Sequence, residues 1–174
     1  MLSRRSIRLT LSSMLIFVAG LALAADPADL ERLRETSACP KCDLSGADLS
    51  SMRLMSADLS GANLRGAKLR KTILFRANLS GADLREAAFE KASLGRIVLA
   101  GADLSGIDLS NARLAHANLR HARLRGTTLS SGMLEHADLR DADFTGADLR
   151  KARLRYARMD GAILDETNLQ QADL

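Results

Sequence analysis

One spacing governs this chain. From Leu44 to Leu174 an apolar residue recurs at every fifth position, 27 times in succession, with no insertion or deletion. Leu fills 24 of these positions, and Phe89, Phe144 and Met159 fill the others. Two residues before each stands a small residue, Ala in 19 cases; the exceptions are Cys42, Met52, Thr72, Ile97, Ile107, Thr127, Gly132 and Thr167. An α-helix cannot use a period of five, because five residues advance it by about 500° and scatter the leucines around the cylinder. An extended chain can, because positions two apart point to the same side. Each Ala-x-Leu triplet then sends two side chains inward and the middle one outward, and the remaining two residues turn a corner. Nine pentads place Gly at the second corner position, as suits a turn of positive φ. A short strand and a corner, repeated without interruption, make a solenoid.

Composition agrees. Aromatic residues make up 3% of the chain and Trp is absent, while 47% of residues are apolar, most of them Ala and Leu. Motifs such as Ala47-Asp48-Leu49 and Ala62-Asn63-Leu64 resemble the A(D/N)Lxx pattern of the pentapeptide-repeat family, and the resemblance runs from Cys42 to Leu174. It implies an all-β fold, a right-handed quadrilateral β-helix with four pentads per coil and columns of Leu and Ala inside the tube. Twenty-seven pentads would make a rod about 30 Å long at the usual inter-strand spacing.

The segments before the repeat read differently. Residues 1–24 carry Arg4, Arg5 and Arg8, an apolar stretch from Met14 to Leu23, and Ala22-Leu23-Ala24 as a cleavage pattern, which together predict a signal peptide. Ser3-Arg4-Arg5-Ser6-Ile7 also resembles a twin-arginine signal, so either export route fits. An uncleaved anchor is the alternative, although the apolar stretch falls short of the approximately 20 residues a span needs. Periplasmic or secreted localisation is expected, with no membrane span after cleavage. Residues 25–41 read as a cap segment, with Asp26 and Pro27 starting a short helix over residues 27–36 that shields the first coil. The solenoid is expected over 42–174. Cys39 and Cys42 most simply form a disulfide in an oxidising compartment; free buried thiols, or redox, metal or intermolecular chemistry, are the other readings. The chain stops at Leu174 on a complete motif, and some members of the resembled family dimerise through their C-terminal coils. A homodimer through the C-terminal coil is therefore expected here, with fraying or capping by another protein as alternatives.

No enzyme motif is present, neither a phosphate-binding glycine loop nor HExxH nor a nucleophile elbow. The recurring carboxylates are explained by the repeat itself. No catalytic residue, cofactor or metal site is expected.

Specificity must then lie in differences between faces. Counting pentads in fours and naming each face by its first Leu, Asp or Asn precedes the central residue in 5 of 7 pentads on the Leu44 face, 4 of 7 on the Leu49 face, 1 of 7 on the Leu54 face and 4 of 6 on the Leu59 face. The Leu54 face also carries six Arg against Glu135 and Asp173, a net +4, whereas residues 25–174 together carry +1. Stacked coils should align Arg76, Arg96, His116, His136 and Tyr156 in one ladder, flanked by Arg53, Arg113, Arg153 and Arg155. Met55, Ile73, Phe75 and Met133 would add exposed apolar area beside it. Arg with aromatic and Met side chains suits a partner-binding surface for an acidic protein, polyanion or glycan. An unconstrained solvent face is the plainer explanation, and a weak metal site at His116, His136 and Glu135 a minor one.

The leading expectation is a non-catalytic structural or protein-interaction scaffold in the cell envelope. The alternative, a DNA-mimicking gyrase inhibitor like the fluoroquinolone-resistance members of the resembled family, requires a strongly acidic rod in the cytoplasm. No nucleic-acid partner is expected.

Overall fold

The computed structural model describes residues 25–174; the signal-peptide expectation lies outside them. The chain winds as a right-handed quadrilateral β-helix in which parallel bridges join residues 20 apart, from Ala38–Asp58 to Arg153–Asp173. One turn of chain therefore comprises four pentads.

The backbone explains why the motif has five positions. Leu44 and Gly46 donate their N–H groups to the next coil, at Asn63 O (2.8 Å) and Arg65 O (2.9 Å). Asn63 donates back to Cys42 O (2.9 Å), and Ala47 closes the corner on Leu44 O (3.1 Å). That leaves the N–H of the first corner residue. Ser45 donates it to Oδ1 of Asp43, two residues earlier, at 3.1 Å. The same Asx bond recurs with Asn, as in Arg65 to Asn63 (3.2 Å) and Ser80 to Asn78 (3.1 Å). The Asp or Asn of the motif is thus a backbone cap, since its side chain reaches the one amide the coils leave over.

The second corner residue is left-handed in every pentad from Lys41 to Gln171, with φ between 56° and 72°. Gly fills nine of these corners as the sequence suggests, but non-Gly residues fill the rest, at a cost of about 1 kcal/mol or more each. The inter-coil bonds and the burial of Ala and Leu hold them there. Thr72, Thr127 and Thr167 replace inward Ala without an orphaned hydroxyl, because each donates to a carbonyl below: Leu49 O (2.9 Å), Leu104 O (2.8 Å) and Phe144 O (2.8 Å).

A helix, α1 (Pro27–Thr36), covers the first coil. Asp26 caps it by accepting the Ala28 N–H at 2.8 Å, and Ser37 ends it in a left-handed conformation. Leu33 is fully buried against the coil, and the Asp29 carboxylate accepts the Asp43 N–H at 2.8 Å. Cys39 and Cys42 are joined in a disulfide, buried beneath α1.

The cap segment is shorter than the boundary at residue 41 implies. Ala38 bridges Asp58, and Cys39 and Lys41 donate to the next coil at Asp58 O (2.7 Å) and Ser60 O (2.8 Å). Residues 37–41 are therefore a further pentad, in which Cys39 stands where Leu stands elsewhere; counting by Leu passes over it. Its middle residue, Ala38, cannot cap an amide, and its first corner residue is Pro40, which has no N–H to cap.

Two outcomes test this architecture. The carboxyls of Asp48, Asp108, Asp143 and Asp148 are held below the usual range, first by the side chain and also by the backbone N–H of the residue two positions on. A depressed folded pKa contributes stability above the unfolded value near pH 4, lost as pH falls through the folded one. Urea midpoints should therefore drop between pH 5 and pH 2, and drop less when these four are replaced by Asn, which caps without a charge. An equal drop in both proteins would contradict the cap assignment. Separately, Gly126 has φ +62° and open space around an added Cβ. Gly126→Ala should cost about 1 kcal/mol in an unfolding titration, from backbone conformation alone.

Candidate partner-binding face

The left-handed corner turns each second corner side chain away from the tube, so residues 20 apart stack in the open. The His116 and His136 rings lie 4.9 Å apart and within 2° of parallel, and the Tyr156 ring continues the stack at 4.9 Å and 12°. Rings stacked face to face hold their nitrogens side by side instead of converging on one ion. Among the described residues, the group geometrically able to hold a metal is Asp29, Cys39 and Cys42, whose sulfurs are already bonded to one another.

Further along the column, the guanidinium of Arg76 sits over the Phe75 ring at 5.3 Å. Phe75 itself leans across Gly95 in the next coil, where an added Cβ would stand 3.2 Å from the ring. This corrects one expectation. Met55 and Tyr156 are exposed (50% and 77%), but Ile73, Phe75 and Met133 are half-buried along the coils. The apolar area on this face is a set of seats between coils, not a flat patch.

The six arginines also separate. Arg153 pairs with Glu135 at 2.7 Å and Arg155 with Asp173 at 2.8 Å. Among the described residues, Arg53, Arg76, Arg96 and Arg113 have no acidic partner within ion-pair distance. The uncompensated charge of the face therefore lies toward its N-terminal half, away from the His136–Tyr156 end.

The missing Asp and Asn residues have a structural meaning as well. With Arg53, Ile73, Ser93, Arg113, Met133 and Arg153 at the capping position, the N–H groups of residues 55, 75, 95, 115, 135 and 155 have no Asx acceptor. Every other face caps at least four of its pentads in this way. The Leu54 face alone presents a column of open backbone donors among its arginines.

A trough of about 490 Å³ gathers Phe75, Arg96, Arg113 and His116 from the expected residues. Arg53, His136, Arg153, Arg155 and Tyr156 lie outside it. Ser93 and Gly95, outward residues of the same face, and Lys91 at the neighbouring corner also line it, outside the candidate residues singled out from the sequence. Gly95 did offer a signal, because it stands at the first corner position and not at the second, where Gly usually sits.

Comparison with known proteins places the chain. A family model described as pentapeptide repeats matches in 8 copies, from residues 41–71 to residues 142–174. No curated protein matches. Among solved structures, HetL, involved in heterocyst differentiation regulation in the cyanobacterium Nostoc sp. strain PCC 7120, is 36% identical, with 78% of this chain and 69% of that one covered and a TM-score of 0.32. Rfr23 from the cyanobacterium Cyanothece 51142 is 25% identical over 84% of this chain and 92% of that one, at a TM-score of 0.47. QnrB1, a plasmid-mediated fluoroquinolone resistance protein, is 20% identical over 79% of this chain and 86% of that one, at a TM-score of 0.50. The repeat length, the columns of Leu and Ala and the family match give one answer: the chain belongs to the pentapeptide-repeat family.

Proposed function

We propose that this protein is an exported, non-catalytic scaffold of the cell envelope that binds an acidic partner through the Leu54 face. The observation that carries the reading is the set of four arginines, Arg53, Arg76, Arg96 and Arg113, with no carboxylate beside them. Elsewhere on the rod six of nine arginines lie against acids, as in Arg65–Glu86 (2.6 Å), Arg85–Asp83 (2.5 Å) and Arg150–Asp148 (2.7 Å), and Arg120, Arg123 and Arg158 are scattered exceptions. Like charges left on neighbouring coils repel, and a bound anion relieves that repulsion. The flanking half-buried Phe75 and the open N–H groups add apolar and hydrogen-bonding contacts of the kind found at interfaces.

The export signal read in residues 1–24 supports an envelope location, and among the described residues no helix is long and apolar enough to cross a membrane. Mimicry of DNA by a rod of this fold needs a surface of phosphate-like negative charge. Residues 25–174 carry a net +1 and the distinctive face carries +4, so the scaffold reading is preferred to inhibition of a topoisomerase.

The test is crosslinking and capture from intact cells, with cell fractionation alongside. Wild type should capture a specific acidic partner in the envelope fraction. A variant with Glu at positions 53, 76, 96 and 113 should lose it while keeping its fold. Identical captures from both proteins, or an uncleaved cytoplasmic protein, would overturn the proposal.

A further inference from the structure

The ladder that binds coil to coil is complete from α1 to the last coil except at one place among the described residues. The N–H groups of Glu86, Phe89, Lys91 and Leu94, which by the pattern should donate upward, make no backbone bond, and those of Asp108 and Arg113 make none downward. The bridges that would join residues 88 to 108 and 93 to 113 are absent, while their neighbours on both sides are made. Pairing stops after Leu84–Asp103 (2.8 Å) and resumes at Arg96–Ala115 (3.1 Å). The two coils therefore part along the Leu49 face and around the corner onto the Leu54 face.

Packing explains the opening. Phe89 replaces a core Leu, and Ile107, two residues before the Leu109 that stacks over Phe89, replaces a core Ala, so one pair of rungs on this face must hold two buried, oversized side chains. The chain holds two controls. Phe144 also replaces Leu, but Ala162 stands above it, and Phe144 N–H still reaches Ile163 O at 2.9 Å. Ile97 also replaces Ala, but the rung below it carries Leu79 where Phe89 stands below Ile107, and Leu79 N–H still reaches Val98 O at 2.7 Å. Either enlargement alone is absorbed. Together they exceed what a close-packed interior accepts without backbone movement. Ala92 and Ala112, inward residues beside the gap, are half-buried, whereas Thr72 and Ala152 in the same column are fully buried.

Two clefts of about 420 and 490 Å³ flank the opening and share Lys91 and Ala92. The second is the arginine-lined trough already described. We infer that the opening is a slot for an extended peptide segment of an acidic partner, which adds main-chain hydrogen bonds to the parted coils. The inference rests on the proposed function of the Leu54 face and names the form its partner takes. The lips decide the ligand class. The lower coil offers N–H groups, and the upper coil offers the unpaired carbonyls of Asp108, Ser110 and Arg113. A polyphosphate can answer only the donors; an extended peptide answers both along one line and would seat its side chains in the adjoining clefts. The charge is also chosen. Lys91, Arg96 and Arg113 border the slot without acidic partners among the described residues, while nearby Glu90 faces Arg70 at 3.7 Å and Asp108 accepts the Ser110 N–H at 2.8 Å.

The experiment combines amide hydrogen exchange with binding of a fluorescent peptide of alternating Glu and Val, measured by anisotropy. Wild type should exchange the Lys91, Leu94, Asp108 and Arg113 amides more than tenfold faster than those of Lys71 and Asn111, and should bind the peptide. The double variant Phe89→Leu/Ile107→Ala, and the single variant Ile107→Ala, restore consensus core residues. They should slow that exchange to the rate of the neighbours and weaken peptide binding at least tenfold. Arg96→Glu/Arg113→Glu should abolish binding and leave the exchange fast. The slot is refuted if the wild-type amides are already protected, or if the closed variants bind the peptide as well as wild type. It is also refuted if labelled polyphosphate and the peptide respond alike to closure. A closed variant that still captures the cellular partner, with the arginine variant failing to, would leave the face standing and remove the slot alone.

Discussion

The inter-coil hydrogen-bond ladder is the constraint on which everything else depends. Each pentad sends two N–H groups to the coil above and one to the coil below, and spends a fourth closing its own corner. Five-residue units with one left-handed corner residue each keep those bonds in register over successive coils. The ladder also fixes the distance between coils, at about 4.8 Å as in any sheet. The interior must then be filled by side chains of nearly constant thickness, which is why Ala and Leu recur and aromatic residues are few.

The fifth N–H is where chemistry enters. On three faces Asp or Asn caps it in most pentads, which neutralises the surface as far as hydrogen bonding is concerned. On the Leu54 face the cap has been exchanged for Arg, Ser, Ile and Met, and the amide is left to whatever approaches. Loss of the cap and gain of an uncompensated arginine coincide at Arg53 and Arg113. A surface that gives up an internal hydrogen bond in pentad after pentad, on one side only, is organised differently from the rest of the rod.

Rigidity makes such a scaffold sensitive to single enlargements. Phe144 and Ile97 show that one oversized side chain can be absorbed when its neighbours above and below are Ala or Leu. Phe89 and Ile107 show what happens when two fall on one face of adjacent coils: six hydrogen bonds are given up, and the coils part beside the arginines. The thickness rule that builds the tube also determines where it opens, along the Leu49 face and around the corner onto the cationic, uncapped Leu54 face.

The period of five determined the fold by itself, because no helix or ordinary sheet can place 27 apolar residues at that spacing on one side. The same counting separated the four faces and placed His116, His136 and Tyr156 in one column, since position along a regular solenoid is arithmetic. It passed over the pentad built on Cys39, whose core residue is not Leu, and it read Phe75 and Met133 as exposed because exposure depends on what the next coil supplies. Only the tertiary structure could show that Arg153 and Arg155 are paired while Arg96 and Arg113 are not, because partners 18 residues apart meet by stacking and by rotamer. Only it could show the parted coils, because Phe89 and Ile107 are each tolerable substitutions in sequence. They conflict only once the chain has gone round a full coil and brought them together.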